Sequence, residues 1–132
     1  MTDSPVSIPF VVLRHTNRDG VHYDLMIDAG AALATWKCTV APETALESPM
    51  ACRRLADHRR DYLTYEGPIS QDRGVVTQYD CGRCRLEVGL APDFASATCL
   101  RITFSGRKLK GPMVIERLGF SDQDWRLRSA GD

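Results

Sequence analysis

Short runs of β-branched and apolar residues alternate along the chain with clusters of turn residues. Phe10–His15 is apolar and β-branched, Thr16–Gly20 has turn chemistry, and Val21–Ile27 alternates in character, so a β-hairpin is predicted. The same pattern predicts further strands, in chain order, at Leu33–Cys38, Tyr62–Tyr65, Gly74–Tyr79, Cys84–Val88, Cys99–Ser105, Met113–Arg117 and Trp125–Arg128. Between two of them, Asp80–Arg83 is predicted to form a hairpin turn.

Helical patterns are scarce in this sequence. The best helical stretch, Glu43–Asp57, is weakly amphipathic and is broken by Pro49, so we expect a short helix followed by a loop. A parallel sheet would need strands that alternate with helical patterns of a dozen or more residues, and the sequence shows none. The pattern therefore predicts a mostly antiparallel β-barrel or β-sandwich.

Length and composition fit a single domain, whose core we expect at about residues 8–128 of the 132. Hydrophobic residues make up 43% of the chain and charged residues 26%. The 17 basic side chains are matched by 17 acidic ones, which excludes a disordered chain and a strongly basic nucleic-acid-binding tail. Any site for a polyanion must therefore be local.

The apolar runs and the cysteines bear on the cellular compartment. Runs such as Ile8–Leu13 and Ala29–Trp36 are shorter than the roughly 20 residues that span a bilayer, so no membrane segment is expected. The first residues have no cationic start before a hydrophobic stretch, so no secretory signal is expected. The five cysteines are an odd number, which favours reduced thiols over a disulfide framework. We therefore expect a cytoplasmic protein.

Two of the three histidines flank the predicted hairpin turn. Successive side chains of a strand point to opposite faces, so His22 and Asp24 share a face. With Asn17–Gly20 as a four-residue loop, His15 lies across from His22, where Cβ atoms are about 4.5–5.5 Å apart. Two imidazoles and a carboxylate suit Mn²⁺, Zn²⁺ or Co²⁺ and leave coordination positions for water or substrate. Solvated polar residues on an ordinary hairpin face are the alternative interpretation, and spacing alone does not decide.

The third histidine lies in a cationic segment of the chain. His58 and Tyr62 are four residues apart, and Arg54, Arg59 and Arg60 are close to them in sequence. A protonatable imidazole beside guanidinium groups is what a phosphate ester site would use. The alternative is a charged loop that leads into a strand, with Tyr62 and Tyr65 as core aromatics.

Taken together, these segments resemble the 3′-phosphoesterase domain found at the N-terminus of bacterial DNA ligase D and as a free-standing protein. The residues that carry the resemblance are Val11–His15, His22–Asp24, Trp36, Asp57–His58, Tyr62–Leu63, Glu66–Gly67, Gly106–Gly111 and Trp125. They are spread over Phe10–Arg128, nearly the whole chain. The resemblance implies a compact antiparallel β-barrel with one or two short helices.

The resemblance also implies an activity. Members remove a 3′-phosphate or a 3′-terminal ribonucleoside from a nucleic-acid primer end in a metal-dependent reaction, in DNA repair and non-homologous end joining. By this resemblance His15, His22 and Asp24 would hold a divalent metal, commonly Mn²⁺, while His58 and Tyr62 would face the scissile phosphate. The implied partners are a nucleic-acid 3′ end and a separate DNA ligase or polymerase.

The chain departs from the family where the family binds phosphate. The family carries an arginine two residues after the aspartate, and this chain has Met26 there. A family lysine a few residues after the tryptophan is absent, with Val40 near that place. Another cation can reach the same site from a different backbone position. The candidate phosphate-binding or nucleic-acid-binding groups are Arg14, Lys37, Arg53, Arg54, Arg59 and Arg60, with a second cluster at Arg107, Lys108 and Lys110.

These departures support a second class of function beside the enzyme. A non-catalytic module could keep the metal and bind nucleic-acid 3′ ends or another phosphorylated partner without hydrolysis. A third interpretation is a structural domain whose metal only tightens the hairpin. A structural zinc site has four protein ligands, so the three ligands predicted here count against it.

Overall fold

A closed ring of antiparallel strands forms the body of the protein. The computed structural model describes residues 7–86, 94–119 and 121–131. Within these residues the strands are, in chain order, β1 (Ser7–Asn17), β2 (Gly20–Asp28), β3 (Leu33–Cys38), β4 (Met50–His58), β5 (Gly67–Pro68), β6 (Val75–Leu86), β7 (Cys99–Gly106), β8 (Lys110–Arg117) and β9 (Asp124–Ser129). Eight described strands pair in the order β1-β2-β3-β4-β9-β8-β7-β6, and β6 pairs back with β1. This pairing closes an eight-stranded antiparallel barrel, as predicted.

Helix is as scarce as the sequence predicted. The described residues contain two short 3₁₀ helices, Pro42–Leu46 and Arg60–Leu63. None of the helices in the described ranges is long or apolar enough to cross a membrane.

Strand alternation separates an inner core from a second buried cluster on the outside of the barrel. Inward side chains such as Phe10, Leu25 and Trp36 are at most 1% exposed and belong to a core that draws on strands all round the barrel. The residues that alternate with them on the first strands point outward. This outer cluster consists of Val11, Leu13, Met26, Leu33 and Val76. An apolar outer face needs a cover, because exposed apolar area is unfavourable in water.

The segment between β4 and β6 supplies that cover. Tyr62 and Leu63, from the second 3₁₀ helix, and Ile69, which follows β5, pack against the outer cluster. The β1–β2 hairpin is therefore buried on both faces. Polar side chains on its outer face lie between the barrel and the covering segment.

The strand predicted at Tyr62–Tyr65 is wrong, because Arg60–Leu63 forms a 3₁₀ helix there. The Tyr62 N–H donates to the Arg59 carbonyl at 3.1 Å, which closes the turn of this helix. Burial of Tyr62 and Leu63 on the outer cluster favours the helix over the strand preference of aromatic residues.

The hairpin turn predicted at Asp80–Arg83 is also wrong, because β6 runs continuously from Val75 to Leu86. Glycine is needed at position 82 because β6 and β7 approach each other closely, and not because the chain turns there. A Cβ atom at Gly82 would lie 2.3 Å from the Ser105 carbonyl oxygen of β7. The predicted strand Cys84–Val88 is thus the end of β6, and its last two residues lie outside the described ranges.

The stretch Glu43–Asp57 contains less helix than predicted. A 3₁₀ helix at Pro42–Leu46 is followed by β4 (Met50–His58), where a loop was expected. Strand β4 pairs with β3 on one side and with β9 on the other, so barrel closure determines its conformation more than local pattern does.

A buried carboxylate connects β6 to the turn between β7 and β8. Asp80 is fully buried, and four backbone N–H groups donate to its oxygens at 2.8–3.2 Å. The donors belong to Cys81, Arg107, Lys108 and Leu109. A carboxylate that accepts several backbone N–H groups satisfies both its own buried charge and the polar groups of the turn.

We predict that Asp80→Asn destabilises the protein by roughly 2–3 kcal/mol, because one carboxylate oxygen becomes an amide N–H₂ that faces N–H donors. Urea denaturation measures this change in the free energy of unfolding. Asp72→Asn is the matched control: the Asp72 side chain is 87% exposed, and surface changes of this kind usually stay within about 0.5 kcal/mol. Equal stability of the two variants would contradict the role assigned to Asp80.

Candidate metal and phosphate site

The β1–β2 hairpin brings two histidines and one aspartate together on the outside of the barrel. His15 pairs with His22 in the strand register, and their ring centroids are 4.5 Å apart. Asp24 lies two residues further along β2 on the same face. One potential ligand atom from each of the three side chains lies within 4.8 Å of the other two. The hairpin loop is shorter than predicted, since Asn17 and Gly20 pair with each other, but the facing of the two histidines is unchanged.

A hydrogen bond to the covering segment orients His15. Its Nε2 lies 2.6 Å from the Arg73 carbonyl oxygen. A carbonyl can only accept, so the proton is on Nε2, and in the neutral ring Nδ1 keeps its lone pair. His15 Nδ1 lies 3.6 Å from Asp24 Oδ2. Histidines that bind metals commonly donate their other ring N–H to a backbone carbonyl in this way.

Asp24 has a buried carboxylate oxygen that no described group hydrogen-bonds. Its side chain is only 5% exposed, and its Oδ1 receives no hydrogen bond from any described residue, although His22 Nε2 lies 3.2 Å away. An unsatisfied buried carboxylate oxygen is costly. Two imidazole nitrogens and one carboxylate are a donor set that suits a borderline divalent cation. The three residues therefore fit a divalent metal.

A small cavity of about 100 Å³ adjoins this cluster. It lies between the outer face of the barrel and the covering segment, and its lining residues are Leu13, His15, Asp24, Met26, His58, Tyr62, Ile69, Arg73 and Val76. Sites for drug-sized ligands have volumes of about 300–1,000 Å³, so this cavity suits a group of phosphoryl size. The sequence-predicted residues His58 and Tyr62 thus share one cavity with two of the three predicted metal ligands.

His58 and Tyr62 contact each other at the wall of this cavity. Their ring centroids are 5.8 Å apart in an edge-to-face arrangement. His58 Nδ1 donates to the Ala56 carbonyl oxygen at 2.9 Å. In the neutral ring this leaves Nε2 with a lone pair that can exchange a proton.

A larger cavity of about 300 Å³ continues from the first one. The two cavities share Tyr62, Ile69 and Arg73, and the larger one is also lined by Arg59 and Tyr65. Of the six cations predicted to bind phosphate or nucleic acid, Arg59 is therefore close to the cavity, on its outward extension.

Lys37 and Arg53 follow Asp24 across the outer face of the sheet. Lys37 is the register partner of Asp24 on β3, and Arg53 is the partner of Lys37 on β4. Lys37 is half-buried, whereas Arg53 is exposed and donates to Gln123 Oε1 at 2.5 Å. Lys37 is thus one strand away from the carboxylate of the cluster.

Three of the cations predicted to bind phosphate lie away from the cavity beside His15. Arg14 is the neighbour of His15 on β1, so its side chain leaves the strand on the opposite face. The Arg54 guanidinium lies 4.6 Å from the ring centroid of Trp36 and 5.7 Å from that of Trp125. Arg60 binds Asp28 with two hydrogen bonds, at 2.7 and 3.0 Å. None of these three side chains lines the cavity of about 100 Å³.

The second basic cluster serves the turn between β7 and β8. Arg107 and Lys108 donate their backbone N–H groups to Asp80, and Lys108 Nζ lies 4.3 Å from the ring centroid of Tyr79. Lys110 begins β8 and is exposed. None of the three side chains lines the cavity beside His15.

Sequence reasoning missed Arg73, which lines both cavities and orients His15. The available signal was Gly74, a turn residue directly before a strand, and it indicates a turn without indicating what the turn contacts.

The comparison with protein families agrees with the resemblance seen in the sequence. A family model described as "DNA Ligase D 3'-phosphoesterase domain" matches residues 13–117. This range includes His15, His22, Asp24, His58 and Tyr62. Trp125, which the sequence resemblance also included, lies beyond it. No match was found among curated proteins.

The Asp28–Arg60 pair that anchors the second 3₁₀ helix generates a prediction about pH. The hydrogen bonds from Arg60 hold the pKa of Asp28 below its ordinary value of 3.8. A carboxyl with a depressed folded-state pKa contributes stability above its unfolded-state pKa and loses it as the pH falls through the folded-state value. We therefore expect the stability difference between wild type and Asp28→Asn to be constant near neutral pH and to shrink at a pH below about 3.8.

Urea denaturation between about pH 2 and pH 7 measures this difference. Asp72→Asn is the control, since Asp72 pairs with Arg18 in full exposure. A difference that stays the same down to the lowest pH would contradict the assigned role of the Asp28 carboxylate.

Proposed function

Because the chain belongs to the DNA ligase D 3′-phosphoesterase domain family, we propose that it is a metal-dependent hydrolase of nucleic-acid 3′ ends. It removes a 3′-phosphate or a 3′-terminal ribonucleoside in DNA repair and leaves a 3′-hydroxyl. The observation that carries the proposal is the cluster of His15, His22 and Asp24 beside a cavity lined by His58 and Tyr62. The metal ligands would be these three residues, and Mn²⁺ is the proposed ion, with Zn²⁺ or Co²⁺ as alternatives.

A divalent ion held by the cluster would supply positive charge that stabilises phosphate oxygens during hydrolysis. The protein's own groups shape the cavity and orient the ligands. Asp24 and the two imidazoles define one end of the cavity, and the Arg73 carbonyl keeps the His15 ring in the orientation that points Nδ1 at the cluster. Burial of the hairpin face under the covering segment lowers the local dielectric and strengthens each of these interactions.

His58 is the proposed general acid. For a 3′-phosphate, water attacks the phosphorus atom and the bond between phosphorus and the 3′-oxygen breaks; His58, protonated on Nε2, delivers that proton to the leaving 3′-oxygen, and one proton of the attacking water passes to solvent. For a 3′-terminal ribonucleoside, the same attack breaks the bond between phosphorus and the 5′-oxygen of the terminal nucleoside and leaves a 3′-phosphate, which the first reaction then removes. Nδ1 of His58 is engaged with Ala56, which leaves Nε2 for this task. Tyr62 packs against the His58 ring and offers a hydroxyl to the phosphate. No covalent nucleophile is needed.

The balanced charge of the chain favours brief contact with a strand end over a long duplex footprint, because long-range electrostatic attraction is weak. A separate DNA ligase or polymerase would then use the 3′-hydroxyl that the reaction leaves. We propose a cytoplasmic location for this work.

A non-catalytic module that binds phosphorylated ends is the second candidate function. Met26 favours it: this side chain is 1% exposed and lies at the place where the family pattern has an arginine. Loss of one preorganised group that stabilises the transition state costs about 3–4 kcal/mol, or a factor of hundreds in rate. A protein that binds the metal and the phosphorylated end with little or no turnover would result from that loss.

The test of the proposal is cleavage of a labelled primer that ends in a 3′-phosphate or a single 3′-ribonucleotide, with and without Mn²⁺. We expect Mn²⁺-dependent formation of a 3′-hydroxyl end. His22→Ala removes a metal ligand and should abolish that dependence. His58→Ala should lower kcat by about 10²- to 10⁴-fold while Mn²⁺ affinity is unchanged. Val21→Ala is the matched control, because Val21 adjoins His22 but is 40% exposed and points to the other face of the strand.

The outcomes separate the two candidate functions. Tight binding of the 3′-phosphorylated primer without cleavage at any Mn²⁺ concentration would support the binding module and overturn the enzyme. Cleavage that survives in His22→Ala would overturn the assigned metal site.

A further inference from the structure

Arg73 is the one arginine among the described residues that line the cavity beside the histidine cluster. The wall formed by Leu13, Met26 and Val76 is apolar. A phosphate dianion in this space would need a cation other than the metal to neutralise its charge. Arg73 comes from the covering segment, on the side opposite Met26 and the barrel.

Two parts of Arg73 serve the site. Its backbone carbonyl accepts the hydrogen bond of His15, so its position is tied to the metal-ligand cluster. Its side chain donates from Nε to the Ser70 carbonyl at 2.9 Å and from Nη2 to Ser70 Oγ at 3.1 Å. A guanidinium has five N–H donors in a planar fork. Ser70 therefore orients the fork and leaves donors for a ligand.

The turn that carries Arg73 is held in an unusual backbone conformation. Gln71 and Asp72 both have positive φ, 63° and 57°, and Gly74 has φ of 102°. A Cβ atom at Gly74 would lie 2.2 Å from the Thr16 carbonyl oxygen. The turn thus approaches β1 as closely as only glycine permits, and this approach brings the Arg73 carbonyl to His15. Residues in such sparsely populated conformations cluster at functional sites.

We propose that Arg73 is the residue that binds the terminal phosphate of the substrate, in place of the arginine that the family pattern has at Met26. This inference rests on the proposed function and adds a binding residue from a different part of the chain. Arg73 and the metal-ligand cluster would contact the same phosphoryl group, because both line a cavity of about 100 Å³. Bidentate hydrogen bonding from the guanidinium makes the site selective for a phosphate over a hydroxyl terminus.

The test compares binding of two labelled oligonucleotides of identical sequence, one with a 3′-phosphate and one with a 3′-hydroxyl. Fluorescence anisotropy on the metal-free protein isolates the contribution of the side chains. Wild type should prefer the 3′-phosphate, and Arg73→Gln should lose about 10- to 100-fold of that preference. Arg73→Lys, which keeps the charge without the fork, should lose less.

The control variant is Arg18→Gln, since Arg18 is 84% exposed and pairs with Asp72 of the same turn. It removes one positive charge near the turn and should keep the preference for 3′-phosphate. Mn²⁺ affinity should be the same in Arg73→Gln and wild type, because the carbonyl that orients His15 remains. In turnover with Mn²⁺, Arg73→Gln should raise KM for a 3′-phosphate primer.

The inference would be overturned if the wild-type protein bound the 3′-phosphate and 3′-hydroxyl oligonucleotides equally, or if both Arg73 variants kept the wild-type preference for 3′-phosphate. It would also be overturned if Arg18→Gln lost as much of that preference as Arg73→Gln. A fourth contrary result is a loss of Mn²⁺ affinity in Arg73→Gln that equals its loss of preference for 3′-phosphate. The last result would make Arg73 a structural residue of the turn. A preference that depends on Arg73 without any cleavage by wild type would support the inference while the proposed activity fails. Cleavage by wild type with unchanged binding and KM in Arg73→Gln would overturn the inference alone.

Discussion

The register between β1 and β2 is the constraint on which the site depends. His15 faces His22 because Asn17 pairs with Gly20 at the end of the hairpin. A slip of one residue would turn every side chain of a strand to the other face. It would move Phe10 and Val12 out of the barrel interior and move His15 into it. Burial of the inner residues therefore fixes the geometry of the outer ones, and the barrel core stabilises the cluster without touching it.

The proposed site lies on an outer face of the barrel that the segment between β4 and β6 covers. The exterior of most barrels is exposed to solvent, and water there would screen the electrostatic interactions of an imidazole–carboxylate cluster. Here Tyr62, Leu63 and Ile69 pack on the outer cluster, and the Asp28–Arg60 pair anchors the helix that carries the first two. The cavity is the space left between the two layers. The site is thus built from a rigid strand pair and a segment whose own side chains face it.

Much of the barrel could be predicted from the sequence, because strands with alternating character and turn residues carry their own local signal. The cluster of His15, His22 and Asp24 could be predicted for the same reason, since hairpin register follows from local spacing. Contacts between residues far apart in the chain could not be predicted from the sequence. Asp80 looked like part of a turn, yet it accepts hydrogen bonds from a loop more than twenty residues away. Arg73 reaches His15 across 58 positions of sequence, and nothing local to either residue indicates that contact.

Pulsed EPR of the Mn²⁺-loaded protein tests the central claim most directly, because it reports which nuclei lie beside the ion. The account predicts modulation from the nitrogens of both hairpin imidazoles, with His15→Gln and His22→Gln each losing one nitrogen contribution and Val21→Ala losing none. A spectrum without imidazole nitrogen, or one that both histidine variants leave unchanged, would show that the ion binds elsewhere and would contradict the account.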